Sequence, residues 1–289
     1  MNNDQLVTDW LIWLQASGSS PGTLRVKRRY VLDLAKTADL LTITASQVQV
    51  WVGRPEWAPE TRKSARASIR SFFAWATREG VCSDDPAANL PPVRVPVGKP
   101  KPAPESNVAD AIDVELIAAR LVETGFGRFA GELSWPRTPQ AVRLMVLLGA
   151  YGGLRRSEIA HLRHSDVTPF GMRVKGKGGR LRVIPIHELI DLELQLLPEP
   201  INPDEWIFPS PVTPGEPIGE DFVSKWCKIA LGGVYTAHTL RHRFGTRVYA
   251  GCKDIRAVQE LLGHTKPETT ARYVLIGHDV LTAAVSAVA

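Results

Sequence analysis

Seven prolines fall between Pro86 and Pro104 of this 289-residue chain, and no other feature limits its folding so strongly. Each proline fixes φ and removes a backbone donor, so neither a helix nor a central strand can run through the segment. Arg94, Lys99 and Lys101 lie among the prolines and the segment has little to bury, so it reads as an extended linker. The sequence therefore divides into a helical domain of residues 1–85, a linker of residues 86–104 and a larger domain of residues 105–289.

The first domain is helical text. Leu6, Trp10 and Leu14 stripe one helix, Ser20 before Pro21 opens a second, and Thr44 with Gln47 has capping-box spacing at the start of a third. A fourth follows Pro59, turns Ala65, Ile69, Phe72, Phe73 and Ala76 inward, and stops near Gly80. Its other side gathers Arg62, Lys63, Arg66 and Arg70, and Arg25, Lys27, Arg28 and Arg29 cluster near the start of the second helix. Alone, such charge runs fit a solvated face as readily as a nucleic-acid contact.

In the second domain, Ile112–Val122, Thr138–Leu148, His187–Leu197 and Gly219–Leu231 read as helices. MRVKG and RLRVIPI read as two short strands around a Gly-rich hairpin. The expected fold is mainly α in two domains, the second being α+β with a small antiparallel sheet. Lys plus Arg total 35 against 30 Asp plus Glu, a mild basic excess that is compatible with nucleic acid and does not by itself establish it. Cys82, Cys227 and Cys252 lack C-x-x-C spacing, so they read as buried free thiols of a reducing cytoplasm, outside any disulfide frame or zinc site. The first residues lack a basic n-region, and the longest apolar run, Leu144–Leu154, is well short of the roughly 20 residues of a membrane span. A soluble, cytoplasmic protein is expected.

The chemistry concentrates in His238–Tyr273. His238 and Arg241 are three apart and share a helix face. Leu261, Leu262, Gly263 and His264 end an amphipathic helix that carries Ile255, Val258 and Leu262, with Gly263 as its left-handed stop. Tyr273 follows nine residues after His264, on a short helix that Pro267 would start. A phenol can attack phosphorus, a guanidinium can clamp non-bridging oxygens, and imidazoles can move protons, so the set points to phosphoryl transfer through tyrosine.

HTLRH, LLGH and the tyrosine beyond resemble the signature of the tyrosine recombinases, or phage integrase family. The box YGGLRRSEI is similar to that family's GLR-x-SE, which carries its arginine to Arg155 with Glu158 as acidic companion, and RVKGKGGRLRVIPI matches its lysine hairpin at Lys177, with Lys175 as a rival. The resemblance spans nearly the whole chain. It implies a four-helix, SAM-like core-binding domain whose basic residues, with Lys99 and Lys101 of the linker, contact DNA opposite a catalytic domain. It implies that Tyr273 forms a 3′-phosphotyrosyl bond, that Arg155 and Arg241 grip the phosphate, that Lys177 is the general acid, and that His238 and His264 handle the tyrosine proton and the phosphate. Glu158 and His242 are implied in support, without metal or ATP.

Further implications are double-stranded attachment sites as substrate, a Holliday-junction intermediate, a tetramer on synapsed DNA from a free monomer, no membrane partner, and room for an accessory directionality factor. Integration or excision of a mobile element is the leading expectation. Xer-type dimer resolution, type IB topoisomerase-like relaxation and a non-catalytic DNA-binding role are the alternatives. The remaining histidines, His161, His164, His187 and His278, read as surface or structural, and Tyr30, Tyr151, Tyr235 and Tyr249 as packing residues. The apolar end LTAAVSAVA reads as a helix that docks on a neighbouring protomer, with a proteolysis tag as the rival.

Overall fold

The computed structural model describes residues 2–96, 102–124 and 135–264. Two compact units comprise Met1–Gly98 and Lys99–Ala289. The linker residues Lys99 and Lys101, the nucleophile candidate Tyr273, His278 and the apolar C-terminus lie outside the described residues.

The first unit packs α1 (Asn3–Ala16), α2 (Pro21–Ala35), α3 (Ala45–Val52) and α4 (Pro59–Arg78). Its helix starts follow from local chemistry. The Ser20 hydroxyl accepts from the Thr23 amide, and Thr44 and Gln47 form the reciprocal capping box. The inward stripes converge on Trp10, whose ring meets Phe72 edge-on at 5.4 Å. Ala87 and Leu90 join this core, and the Arg66 guanidinium donates to the Leu90 carbonyl at 2.6 and 3.1 Å. The first part of the proline-rich stretch is thus packed against helices.

That packing also divides the basic residues. Lys27 donates to Ser71 Oγ at 2.7 Å, and burial lowers its pKa. Arg62 donates to the Pro55 carbonyl, and Arg66 is occupied as above. Arg25, Arg28, Arg29, Lys63 and Arg70 are exposed.

The second unit is built around α7 (Pro139–Ala150), of which every residue from Leu144 to Ala150 is buried. It touches α5 (Glu105–Ile112), α6 (Val114–Glu123), α9 (Glu188–Gln195), α10 (Glu220–Ala230) and α11 (Ala237–Cys252). The helix expected over Ile112–Val122 forms as α6 but starts at Val114: the Asp113 carboxylate caps it by accepting from the amides of Glu115 and Leu116, and Ile112 instead ends α5. Arg243 on α11 ties back to Glu105 on α5 at 2.6 Å, and that hydrogen bond holds the Glu105 carboxyl below its usual pKa. Gly153, at φ +65°, leaves α7 in the left-handed region, and a Cβ there would lie 2.4 Å from the Phe244 ring, so the turn into α8 (Arg156–Ala160) requires glycine.

The sheet is antiparallel, β1 (Val167–Thr168), β2 (Gly171–Lys175) and β3 (Leu181–Ile184), with Met172 opposite Ile184 and Lys175 opposite Leu181. The two-residue β1 is too short to show a period in sequence. Two further expectations are corrected. Ile255 opens α12 (Ile255–Leu262) but is 37% exposed, leaving Val258 and Leu262 as its buried side. Cys227 is buried, whereas Cys82 is half-buried and Cys252 exposed, because Cys252 ends α11 at the surface. No helix among the described residues is long and apolar enough to cross a membrane.

Phe72 is fully buried against Trp10 and Phe73. Phe72→Ala is expected to cost about 3–5 kcal/mol. Hydrogen exchange should show faster exchange of the α2 and α4 amides in the variant.

Candidate functional site

The site begins where α7 turns into α8. Arg155 occupies the N-cap of α8 with extended backbone (φ −75°, ψ 155°), and Glu158 stands three residues on. The Arg155 amide donates to Glu158 Oε2 at 2.8 Å and the Arg155 side chain donates to Oε1 at 2.6 Å. The acidic companion therefore caps the helix and pairs with the arginine at once.

Two other elements complete the constellation. From α11, Arg241 reaches in with its side chain 3% exposed, donating to the Gly153 carbonyl at 2.5 Å and to the Leu262 carbonyl, 3.7 Å from Glu158 Oε2. From β3, Arg182 grips both carboxylate oxygens of Glu158 at 2.9 and 2.8 Å and donates Nε to the Leu261 carbonyl at 2.9 Å. The last carbonyls of α12 are thereby shared out. Leu261 accepts from Arg182, Leu262 from Arg241, and Gly263 from Arg155 at 3.4 Å. A helix C-terminus carries unpaired carbonyls and partial negative charge, so three cations are well matched to it. Gly263 closes α12 at φ +61°, and a Cβ there would lie 3.1 Å from the Arg182 side chain.

Electrostatics follow from this packing. Burial by itself would raise the Glu158 pKa, but the Arg182 hydrogen bonds and charge, with Arg155, overcome it and hold the carboxyl at about 2. His264, 8% exposed, is pushed down to about 4 by burial and then by Arg241, Arg155 and Arg182. It is therefore neutral at pH 7, with one ring nitrogen donating and the other accepting. Three guanidinium groups against one carboxylate leave two positive charges, an arrangement suited to an anion. The site opens on a cavity of about 720 Å³ lined by Arg180, Arg182, Arg256, Gln259 and His264 among others.

Of the residues singled out from sequence, Arg155, Glu158, Arg241 and His264 come together. His238 is exposed on α11 and packs its ring edge-on against His242, centroids 4.2 Å apart. Lys177 belongs to a 3-10 turn, Lys177–Gly179, that joins β2 to β3, and a Cβ on the preceding Gly176 would lie 3.5 Å from Glu158 Oε1. The connection thus starts beside the carboxylate. Lys175 is exposed on β2. His187 caps α9 by accepting from the Leu189 amide, and His161 bonds the Ser157 carbonyl.

Arg182 is the member that sequence reading missed. Alternation in RLRVI turns Leu181 and Val183 inward on paper, yet they are 69% and 53% exposed, and Arg182 faces inward with Ile184. An arginine in step with the buried Ile184 is the signal that could have found it.

Residues 136–277 match the phage integrase family. Over 269 residues the chain is 30% identical to the tyrosine recombinase XerC of Mesorhizobium japonicum, spanning 89% of this chain and 77% of that protein. The chain belongs to the tyrosine recombinase family. It is a site-specific recombinase. It is also 28% identical to the tyrosine recombinase XerD of Staphylococcus aureus, across 93% of each chain. Among solved structures, a lambda integrase tetramer bound to a Holliday junction is similar with a TM-score of 0.65 at 19% identity, covering 92% of this chain and 78% of that one. XerH bound to difH substrate gives 0.63 at 17% identity, covering 99% and 84%. At such identities the structural likeness is one of fold, and it agrees with a mainly helical recombinase carrying a small antiparallel sheet.

The depressed pKa values are expected to make the recombinase less stable in acid. The unfolded chain binds His264's proton below pH 6.5 while the folded chain resists it to about 4, so stability falls across that interval. Glu158 adds ~3 kcal/mol above its unfolded pKa, a contribution lost as pH falls from 4.5 through about 2. Thermal midpoints measured against pH should show both losses. His264→Gln should flatten the upper interval and Glu158→Gln the lower.

Proposed function

We propose that this recombinase cleaves and rejoins double-stranded DNA at attachment sites, through a 3′-phosphotyrosyl intermediate and a Holliday junction, to integrate or excise a mobile element. The observation that carries the chemistry is the convergence of Arg155, Arg182 and Arg241 on one buried carboxylate, which leaves excess positive charge beside a neutral His264. A pentavalent phosphorus carries one more negative charge than the diester, and donors placed in advance favour it. Loss of one such donor costs about 3 kcal/mol of transition-state stabilisation.

In the proposed step the Tyr273 oxygen bonds to phosphorus and the bond to the 5′-oxygen breaks. Tyrosine ionises near pH ~10 in water, so His238 accepts its proton while Arg155 and Arg241 hold the two non-bridging oxygens. Lys177 delivers a proton to the leaving 5′-oxygen and His264 donates a hydrogen bond to the phosphate. Glu158 and His242 support the arrangement. Bond energy is kept in the phosphotyrosine, so a 5′-hydroxyl of the partner strand reverses the step without ATP. Guanidinium and ammonium charge serve the phosphate without a divalent ion. The exposed Arg25, Arg28, Arg29, Lys63 and Arg70, with Lys99 and Lys101, are assigned to the DNA backbone, and Lys27, Arg62 and Arg66 to holding the first unit together.

On synapsed sites the protein acts as a homotetramer assembled from monomers, in the cytoplasm and on DNA, with room for an accessory directionality factor. A second reading, resolution of chromosome or plasmid dimers, is favoured by the XerC and XerD relatives. Joining of two separate sites distinguishes both from topoisomerase-like relaxation.

Incubated in EDTA with nicked attachment-site DNA, the wild type should form a covalent adduct visible on a denaturing gel, and Tyr273→Phe should form none. Absence of adduct on DNA that the protein binds site-specifically would return the chain to a binding role. Lys177→Ala should slow cleavage by about 100-fold or more on ordinary DNA. A bridging 5′-sulfur should restore it, because a thiolate leaves without an acid. Lys175→Ala should behave as wild type on both substrates, and the reverse pattern would move the acid to Lys175.

A further inference from the structure

Arg182 is fully engaged within the site. Its fork takes both oxygens of Glu158, its Nε takes the Leu261 carbonyl, and its side chain is only 10% exposed. Arg155 is held more loosely: it is 30% exposed, bonds Glu158 through one side-chain nitrogen, and reaches the Gly263 carbonyl at 3.4 Å.

Acceptor capacity explains the difference. A carboxylate offers about four lone-pair positions. Oε1 accepts from the Arg155 and Arg182 side chains, and Oε2 accepts from the Arg155 amide and Arg182, so two donors sit on each oxygen. While Arg182 is in place, Arg155 cannot close a second side-chain bond onto Glu158. Arg182 also spans from that carboxylate to the last turn of α12, where it lies against the Gly263 backbone one residue before His264.

We infer that Arg182 is a positioning residue for DNA cleavage: it fills Glu158 so that the Arg155 guanidinium stays turned toward the scissile phosphate, and it fastens the α12 end that carries His264. This rests on the assignment of Arg155 to the phosphate. Without Arg182, two acceptor positions of a buried carboxylate lose their donors. Arg155, already on Oε1 at 2.6 Å, is the nearer fork to fill them, with Arg241 3.7 Å from Oε2, and doing so draws Arg155 off the substrate. Lysine in this place keeps the charge but cannot reach two carboxylate oxygens and a carbonyl with one fixed fork.

The test compares wild type, Arg182→Gln and Arg182→Lys in single-turnover adduct formation on nicked attachment-site DNA, with DNA affinity measured alongside. Both variants should bind as wild type and cleave roughly 100-fold more slowly, the scale of loss expected from an Å-sized misplacement of a reacting group. A scissile methylphosphonate, which lacks one charged non-bridging oxygen, supplies the reading that loss of structure alone would not move. An enzyme whose Arg155 has been drawn away should lose at least about 10-fold less on the neutral substrate than on the phosphate. Wild-type cleavage by the variants, or an equal loss on both substrates, would overturn the inference. If Arg182→Gln fails to bind DNA, Arg182→Lys carries the same comparison. A wild type that forms no adduct would instead overturn the tyrosine reading itself.

Discussion

The buried carboxylate of Glu158 is the interaction on which the catalytic unit depends. Its side chain is 2% exposed, and an ionised group so placed is very costly unless it is paired and hydrogen-bonded. The fold meets that demand by sending arginines from three separate places, the start of α8, strand β3 and helix α11. Because each donor belongs to a different element, satisfying one carboxylate also fixes those elements relative to one another. Structural necessity and the excess of positive charge have the same origin.

The end of α12 works as the opposite pole. Three successive carbonyls, at Leu261, Leu262 and Gly263, face three different guanidinium groups, so the turn that delivers His264 is set by the same cations that surround Glu158. Burial first, and those cations after it, keep the His264 imidazole neutral near pH 7, which makes it a hydrogen-bond donor without adding a further charge. Glycine serves two joints of this assembly, both at positive φ. At Gly153 the Phe244 ring occupies the space that a Cβ would need, and at Gly263 a Cβ would press on the Arg182 side chain at 3.1 Å.

The remainder of the second unit serves that geometry. Helix α7 is buried from Leu144 to Ala150 and packs on α11 through Gly149, where a Cβ would lie 3.1 Å from Leu240. The close approach brings the Arg155 turn and the Arg241 helix together at one edge of the core. Glu105 anchors α11 from the other side through Arg243, so the helix that bears His238, Arg241 and His242 is held at several points.

Much of this was legible in the sequence. Local signals, such as the Ser20 and Thr44 caps, the stripe of Leu6, Trp10 and Leu14, and Gly263 as a helix stop, depend on residues within one or two turns of one another, and a single chain displays them. The motifs around Arg155, His238, Arg241, His264 and Tyr273 likewise pointed to the recombinase family, because their residues and spacing resemble that family's signature. Other features depend on distant partners. Whether Arg66 faces DNA or the Leu90 carbonyl, whether Asp113 sits within a helix or caps it, and which face of β3 is inward were decided by packing, in the last case against a carboxylate 24 residues away. Arg182 belongs to this second kind: its neighbours in sequence describe an ordinary strand, and only the tertiary structure brings Glu158 and Leu261 within its reach.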